Sequence, residues 1–208
     1  MKKNILWIAL LGFLIFSCDK ESPKPKNEIV FFDLQPDISI TTIRDYYTSM
    51  NPFCGQLPLP NDSIAYFDLD LNNDSEIDFQ IEVRHYQQEL TQYCGHCGIF
   101  HIKTIQIKPI NSNGFISLDT VSNYWIRNYD TTQLISSSDS WTNENVTGLL
   151  TDGCMIPSLS FKDTYWGLKL DNMIAWIHLE RIGNNGLKIK EFAYNSTENN
   201  SIIAGQKE

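Results

Sequence analysis

The chain has 208 residues, 42% of them hydrophobic and 12% aromatic, with 16 Lys+Arg against 25 Asp+Glu and a formal net charge of −9. That composition fits one globular domain, or at most two small ones, and excludes collagen-like, coiled-coil and wholly disordered chains. An acidic chain with no basic run also lacks the clustered Lys and Arg that phosphates require, so no nucleic-acid partner is expected.

The chain opens Met1-Lys2-Lys3-Asn4 and runs into an unbroken apolar stretch over residues 5–16. A mature membrane span needs about 20 such residues; a shorter run behind two lysines suits the apolar region of a signal peptide. The run ends Ile15-Phe16-Ser17-Cys18. This resembles a bacterial lipobox, with an aliphatic residue three before the Cys and a small one just before it. The resemblance implies that residues 1–17 are a signal peptide and that Cys18 is acylated, by palmitate among other chains. The membrane is then a partner through that lipid. Residues 18–27 turn abruptly polar and carry Pro23 and Pro25, the composition of a flexible tether. Asp19 and Glu21 beside the lipidated Cys resemble export signals of surface lipoproteins in Bacteroidetes-type bacteria. An Asp directly after the Cys also fits inner-membrane retention, as in enteric bacteria. The expected location is the bacterial cell envelope, as an outer-membrane lipoprotein on its surface or periplasmic face.

Residues 28–208 read as one β-rich globular domain. Glu28-Ile-Val-Phe-Phe-Asp33 reads as a strand. Residues 65–71 alternate, with Phe67, Leu69 and Leu71 on one face and Asp68 and Asp70 on the other. Ile77, Phe79, Ile81 and Val83 repeat that period of two. Residues 98–110 and 115–118 follow as strands around the Asn111-Ser-Asn-Gly114 turn. Residues 128–146 are rich in Ser, Thr and Asn and read as a long loop. Residues 165–170, 173–180 and 187–194 form a further series, divided by Asp171-Asn172 and Gly183-Asn-Asn-Gly186, both hairpin signals. Only residues 41–50 carry a weak helical pattern. Many short strands with regular turns predict an antiparallel β-sandwich or jelly-roll-like domain.

Asp68-Leu-Asp70-Leu-Asn72-Asn-Asp74-Ser-Glu76-Ile-Asp78 is the most chemically specific stretch. With Asp70 as position 1, oxygen side chains fall at positions 1, 3, 5 and 9: Asp70, Asn72, Asp74 and Asp78. The carbonyl of Glu76 adds a fifth oxygen at position 7. Ca²⁺ takes six to eight hard oxygen ligands, and a tight loop with alternate oxygens turned inward supplies them. An EF-hand is not implied, because its acidic twelfth position falls on Ile81 and the flanks read as strands. The spacing resembles the D-x-D/N-x-D-G-x-x-D loops that join strands in secreted β-proteins, with Ser75 where those loops carry Gly. The expected cofactor is a structural Ca²⁺.

Cys54, Cys94, Cys97 and Cys154 follow the lipobox Cys. Cys94-Gly95-His96-Cys97 has the letters of a disulfide-isomerase active site, where the motif opens a helix that lowers the first thiol's pKa. Here a β-branched run follows. A zinc site on Cys94, Cys97 and two of Cys54, Cys154, His96 and His101 would need reduced thiolates. For an exported chain the default is two disulfides among the four, with three connectivities open. His85, His96, His101 and His178 lack metalloprotease spacing, and no nucleophile elbow, phosphate loop or dinucleotide fingerprint occurs. His178 alternates with Trp176 and Glu180 and reads as a packed or surface residue. No catalytic residue is nominated.

Two ends of the chain resemble a class of secreted β-proteins of Bacteroidetes and some cyanobacteria. One match is Ile29-Val-Phe-Phe-Asp33-Leu-Gln-Pro36-Asp37 with the 68–79 loop. The other is Tyr165-Trp-Gly167-Leu-Lys-Leu170, Ala175-Trp176-Ile-His-Leu179, Ala193-Tyr194-Asn195 and Ile202-Ile-Ala-Gly205-Gln206. The resemblance implies a sandwich-like exported domain and no activity. Two functions are expected to compete. One is a non-catalytic surface or periplasmic module, Ca²⁺-stabilised, with a glycan or protein ligand. The other is a thiol-disulfide oxidoreductase or zinc enzyme built on Cys94 to Cys97.

Overall fold

The computed structural model describes residues 28–42, 63–93, 96–119, 125–149, 162–183, 186–198 and 200–208; for 87–93, 96–102 and 149 it describes the backbone alone. The leader, the tether, Cys18 and most of the weakly helical 41–50 lie outside the described residues, and Thr41 ends a strand. Among the described residues there is no helix, and every strand pairing is antiparallel.

Four strands form the smaller sheet: β2 (Ser63–Leu69), β3 (Phe79–Tyr93), β4 (His96–Pro109) and β9 (Val146–Leu149), in the order β2-β3-β4-β9. The larger sheet runs β1 (Ile29–Thr41), β12 (Gly186–Asn195), β11 (Met173–Ile182), β10 (Asp163–Leu170), β5 (Gly114–Leu118) and β8 (Ser140–Thr142). The short β6 (Asn128–Tyr129) also pairs with β10. A separate ribbon joins β7 (Leu134–Ile135) to β13 (Ile202–Ile203).

The sheets pack face to face as a sandwich. Leu69, Phe79, Ile81, Val83, Ile105 and Ile107 of the smaller sheet share one apolar cluster with Trp166, Leu168, Ala175, Ile177, Leu187 and Ile189 of the larger. The larger sheet is buried on its other face too. There Tyr165, Ile174, Trp176 and Ala193 lie under Tyr129, Ile135, Ile202 and Ala204, from the 129–141 segment and the C-terminal strap. Strands buried on both faces show near-continuous apolar runs rather than alternation, which is why Met173 to Leu179 has no polar residue before His178.

Three boundaries differ from the sequence reading. The first strand continues past Asp33 to Thr41 through a register shift between Asp33 and Ile38. β3 runs ten residues past Val83, where the alternation that signalled it ends, while β4 falls within two residues of the strand expected at 98–110. The 128–146 stretch, expected as one loop, contains β6, β7 and β8 and the first residue of β9. Strands of two to four residues are too short to carry a period. Gly167 in β10 is needed for close approach: an added Cβ would lie 3.0 Å from Ser117 Cβ, 3.1 Å from Ile135 Cγ2 and 3.2 Å from Tyr129 Cε2. Tyr129 anchors the covering segment. Its hydroxyl lies 2.6 Å from Ser117 Oγ and donates to Asp139 Oδ2 at 3.0 Å, and Asp139 also pairs with Arg127 at 2.9 Å.

Candidate functional site

The acidic loop closes the β2–β3 hairpin, whose last pair is Leu69 with Phe79. Its backbone is held by its own acid side chains. Asp70 accepts the Asp74 N–H at 3.1 Å and the Ser75 N–H at 2.7 Å through separate oxygens. Asn72 Oδ1 accepts the Asp74 N–H at 3.1 Å, while its Nδ2 donates to Asp74 Oδ2 at 2.8 Å. Asp74 Oδ1 accepts the Glu76 N–H at 2.9 Å. These turns need left-handed residues, at Asn73 (φ 60°) and Ser75 (φ 74°). Asn tolerates that conformation; Ser75 costs about 1 kcal/mol against Gly.

Asp78 differs from the other loop acids because it is fully buried. Its Oδ2 accepts the Leu71 N–H at 2.8 Å, and its Oδ1 faces Asn111 Nδ2 at 3.4 Å. Burial raises its pKa above the ordinary carboxylate value, and the charges of Asp74 and Asp70 raise it further; the Leu71 and Asn111 hydrogen bonds oppose them. Asp74 and Asp70 are thus close enough to oppose a charge on Asp78. The Asp78 carbonyl also accepts the N–H groups of Ile110 (2.8 Å) and Asn111 (3.2 Å). The loop is thereby tied to the β4–β5 turn. That turn in turn accepts the Asp171 N–H on the Asn113 carbonyl at 3.0 Å. Asp78 therefore sits where the turns of both sheets meet.

The donor set is all hard oxygen, in the order a Ca²⁺ loop requires: side-chain oxygens of Asp70, Asn72, Asp74 and Asp78 and the Glu76 carbonyl. Among the described residues no group of three or more His, Cys, Asp or Glu side chains is arranged to hold a metal ion. The loop carboxylates instead satisfy loop amides, and a cation would have to turn them.

Comparison with family models, curated proteins and solved structures gave no match.

The remaining sequence candidates are less well placed. Cys54, Cys94 and Cys154 lie outside the described residues. Cys97 lies on β4, one residue after His96, which pairs with Tyr93. The second half of the motif and the residues after it thus form a 14-residue strand, where a thioredoxin-type site has a helix. His96 and His101 are both on that strand.

Two clusters escaped the sequence reading. On the core face of the smaller sheet, His85 is paired in register with Ser63 and Lys103, and both His85 and Lys103 are buried. On the larger sheet, His178 lies between two carboxylates. Its Nε2 meets Asp163 Oδ1 at 2.5 Å and its Nδ1 meets Glu191 Oε1 at 3.2 Å, under the stacked ring of Tyr165 at 4.3 Å. Asp163 and Glu191 are 15 and 13 positions away on neighbouring strands. Only the register could have announced them.

Proposed function

We propose that this chain is a lipid-anchored, exported β-sandwich protein with no catalytic role, in which the loop at residues 70–78 holds a structural Ca²⁺. The observation that carries the reading is Asp78. A buried carboxylate facing two further carboxylates is unfavourable by itself and favourable around a divalent cation. The ion would be held by Asp70, Asn72, Asp74, Asp78 and the Glu76 carbonyl, and it would supply charge neutralisation rather than chemistry. Asp78 would pass that stabilisation to the β4–β5 turn. Calorimetric titration of chelator-treated protein with CaCl₂ is expected to show one site, lost in Asp74→Ala; absence of heat in the unsubstituted protein would remove the metal from the account.

The anchor would be acylated Cys18, and the body would project from the outer membrane on its surface or periplasmic side. Cys54, Cys94, Cys97 and Cys154 would be oxidised in that compartment, as two disulfides. A glycan or protein ligand suits a module of this kind, and the order of its motifs agrees with the Bacteroidetes-type secreted proteins that it resembles. Cys18→Ala is expected to move the protein from the membrane to the soluble fraction and to remove the acyl mass. Unchanged partitioning would exclude lipid anchoring at Cys18.

A further inference from the structure

We propose that His178 is a pH-sensitive latch for the end of the C-terminal strap, residues 202–208, closed while the imidazole is protonated. The strap lies over the second apolar cluster. Ile202 and Ile203 pair with Ile135 and Leu134, and Ile202 and Ala204 are buried against the larger sheet. The Ala204 N–H donates to the Gln133 carbonyl at 2.8 Å, and Gln206 N–H donates to Ile203 at 2.9 Å. Beyond Ala204 the strap is held by Lys207. Its ammonium donates to Glu191 Oε2 at 2.6 Å and sits 4.6 Å from the centre of the Phe31 ring.

Glu191 uses its other oxygen on His178, and His178 uses its other nitrogen on Asp163. An imidazole can donate from both nitrogens only as the imidazolium. The neutral ring presents a lone pair to one of the two carboxylates and loses that hydrogen bond. Glu191 is nearly enclosed, with a side-chain exposure of 11%, whereas Asp163 is 50% exposed, so water replaces a bond lost at Glu191 poorly and one lost at Asp163 readily.

The other groups facing the ring come from every neighbouring strand. From β10 come Asp163 and Tyr165, whose phenol burial keeps above its ordinary pKa and therefore neutral. From β11 comes Glu180, held ionised by Lys190. From β12 come Lys190, paired with Asp163 and Glu180, and Lys188, paired with Glu180 and with Asp37 of β1. The pairing of Glu180 with Lys190 holds the carboxyl below and the ammonium above their ordinary pKa values, so that pair stays charged, and the latch turns on the two nitrogen contacts of His178. Glu191, no longer fixed by the imidazolium, then positions Lys207 less firmly, and the strap end loosens over Tyr165 and Trp176. Gly205 permits this docking. It has a left-handed φ of 80°, and an added Cβ would lie 3.2 Å from the Tyr165 hydroxyl.

The test is amide exchange of the full chain at about pH 6 and about pH 8.5, each corrected for the intrinsic pH dependence of exchange. Protection of the Ala204 and Gln206 amides is expected to fall roughly tenfold at the higher pH, the ratio that one lost charge-assisted hydrogen bond commands. Amides in the centre of β11 and β12 should not change. His178→Gln should abolish the pH step, and Lys207→Ala should give low protection of Gln206 at both values. Equal protection at both pH values in the unsubstituted protein, or the same fall in His178→Gln, would overturn the latch.

Discussion

Asp78→Ala is expected to destabilise the protein by about 2 kcal/mol, and Asp78→Asn to cost nothing or to stabilise it when no cation is bound. The alanine removes the acceptor of the buried Leu71 N–H, and an orphaned buried donor costs about 1–3 kcal/mol. The asparagine keeps an acceptor for that N–H and removes the charge opposed by Asp74 and Asp70. It sacrifices only the longer 3.4 Å contact with Asn111. The sign of the pH dependence follows from the raised pKa of Asp78. Its protonated form is favoured by folding, so the associated stability is complete below the unfolded value of 3.8 and lost as pH rises through the raised folded value. Urea midpoints in chelator should therefore fall, relative to Asp78→Asn, as pH is taken from about 4 to about 7. Parallel profiles for the two proteins would show that the Asp78 charge carries no such cost.

The two buried tryptophans of the larger sheet should respond differently to the same substitution. Trp166 and Trp176 are both fully buried, on opposite faces of that sheet. Either one replaced by alanine is expected to cost about 3–5 kcal/mol, from lost burial and the cavity left behind. Phenylalanine separates them. The Trp166 indole N–H donates to Asn128 Oδ1 at 3.0 Å, and Trp166→Phe forfeits that bond. The Trp176 indole N–H finds no acceptor among the described residues, so Trp176→Phe gives up no hydrogen bond there and removes a desolvated donor. Trp166→Phe should be the more damaging by about 1–2 kcal/mol. That is a difference of roughly 2–8 °C in melting temperature for a domain of this size. Equal losses would mean that the Asn128 bond contributes nothing.

The sandwich was legible because period-two alternation survives in strands such as Ala65 to Leu69, where one face meets the core and the other meets solvent. The burial of β10, β11 and β12 on both faces was visible only indirectly, as apolar runs. The segment that covers them reads as polar loop, and only Tyr129, Ile135 and Trp141 betray it. The order of oxygens in residues 70–78 was equally legible. That Asp78 is buried and tied to Asn111 was not, since 33 positions separate them and the β4–β5 turn brings them together. The packing of His178 was legible, and its two carboxylate partners were hidden for the same reason. Its partners come from β10 and β12, and the register shift between His178 and Leu179 resets the pairing beside it.

The claim that residues 70–78 form a cation-stabilised junction is tested most directly by thermal melts of the purified protein in Ca²⁺ and in chelator. A hundredfold excess of ion over its dissociation constant stabilises the folded state by ~2.7 kcal/mol, which corresponds to a rise of roughly 5–10 °C. The rise should vanish in Asp74→Ala. It should persist in Asp68→Ala, because Asp68 lies outside the loop frame and accepts a hydrogen bond from Gln80 Nε2 at 2.8 Å. Superimposable melts with and without Ca²⁺ in the unsubstituted protein would contradict the account and leave the loop as an acidic turn closed by its own hydrogen bonds.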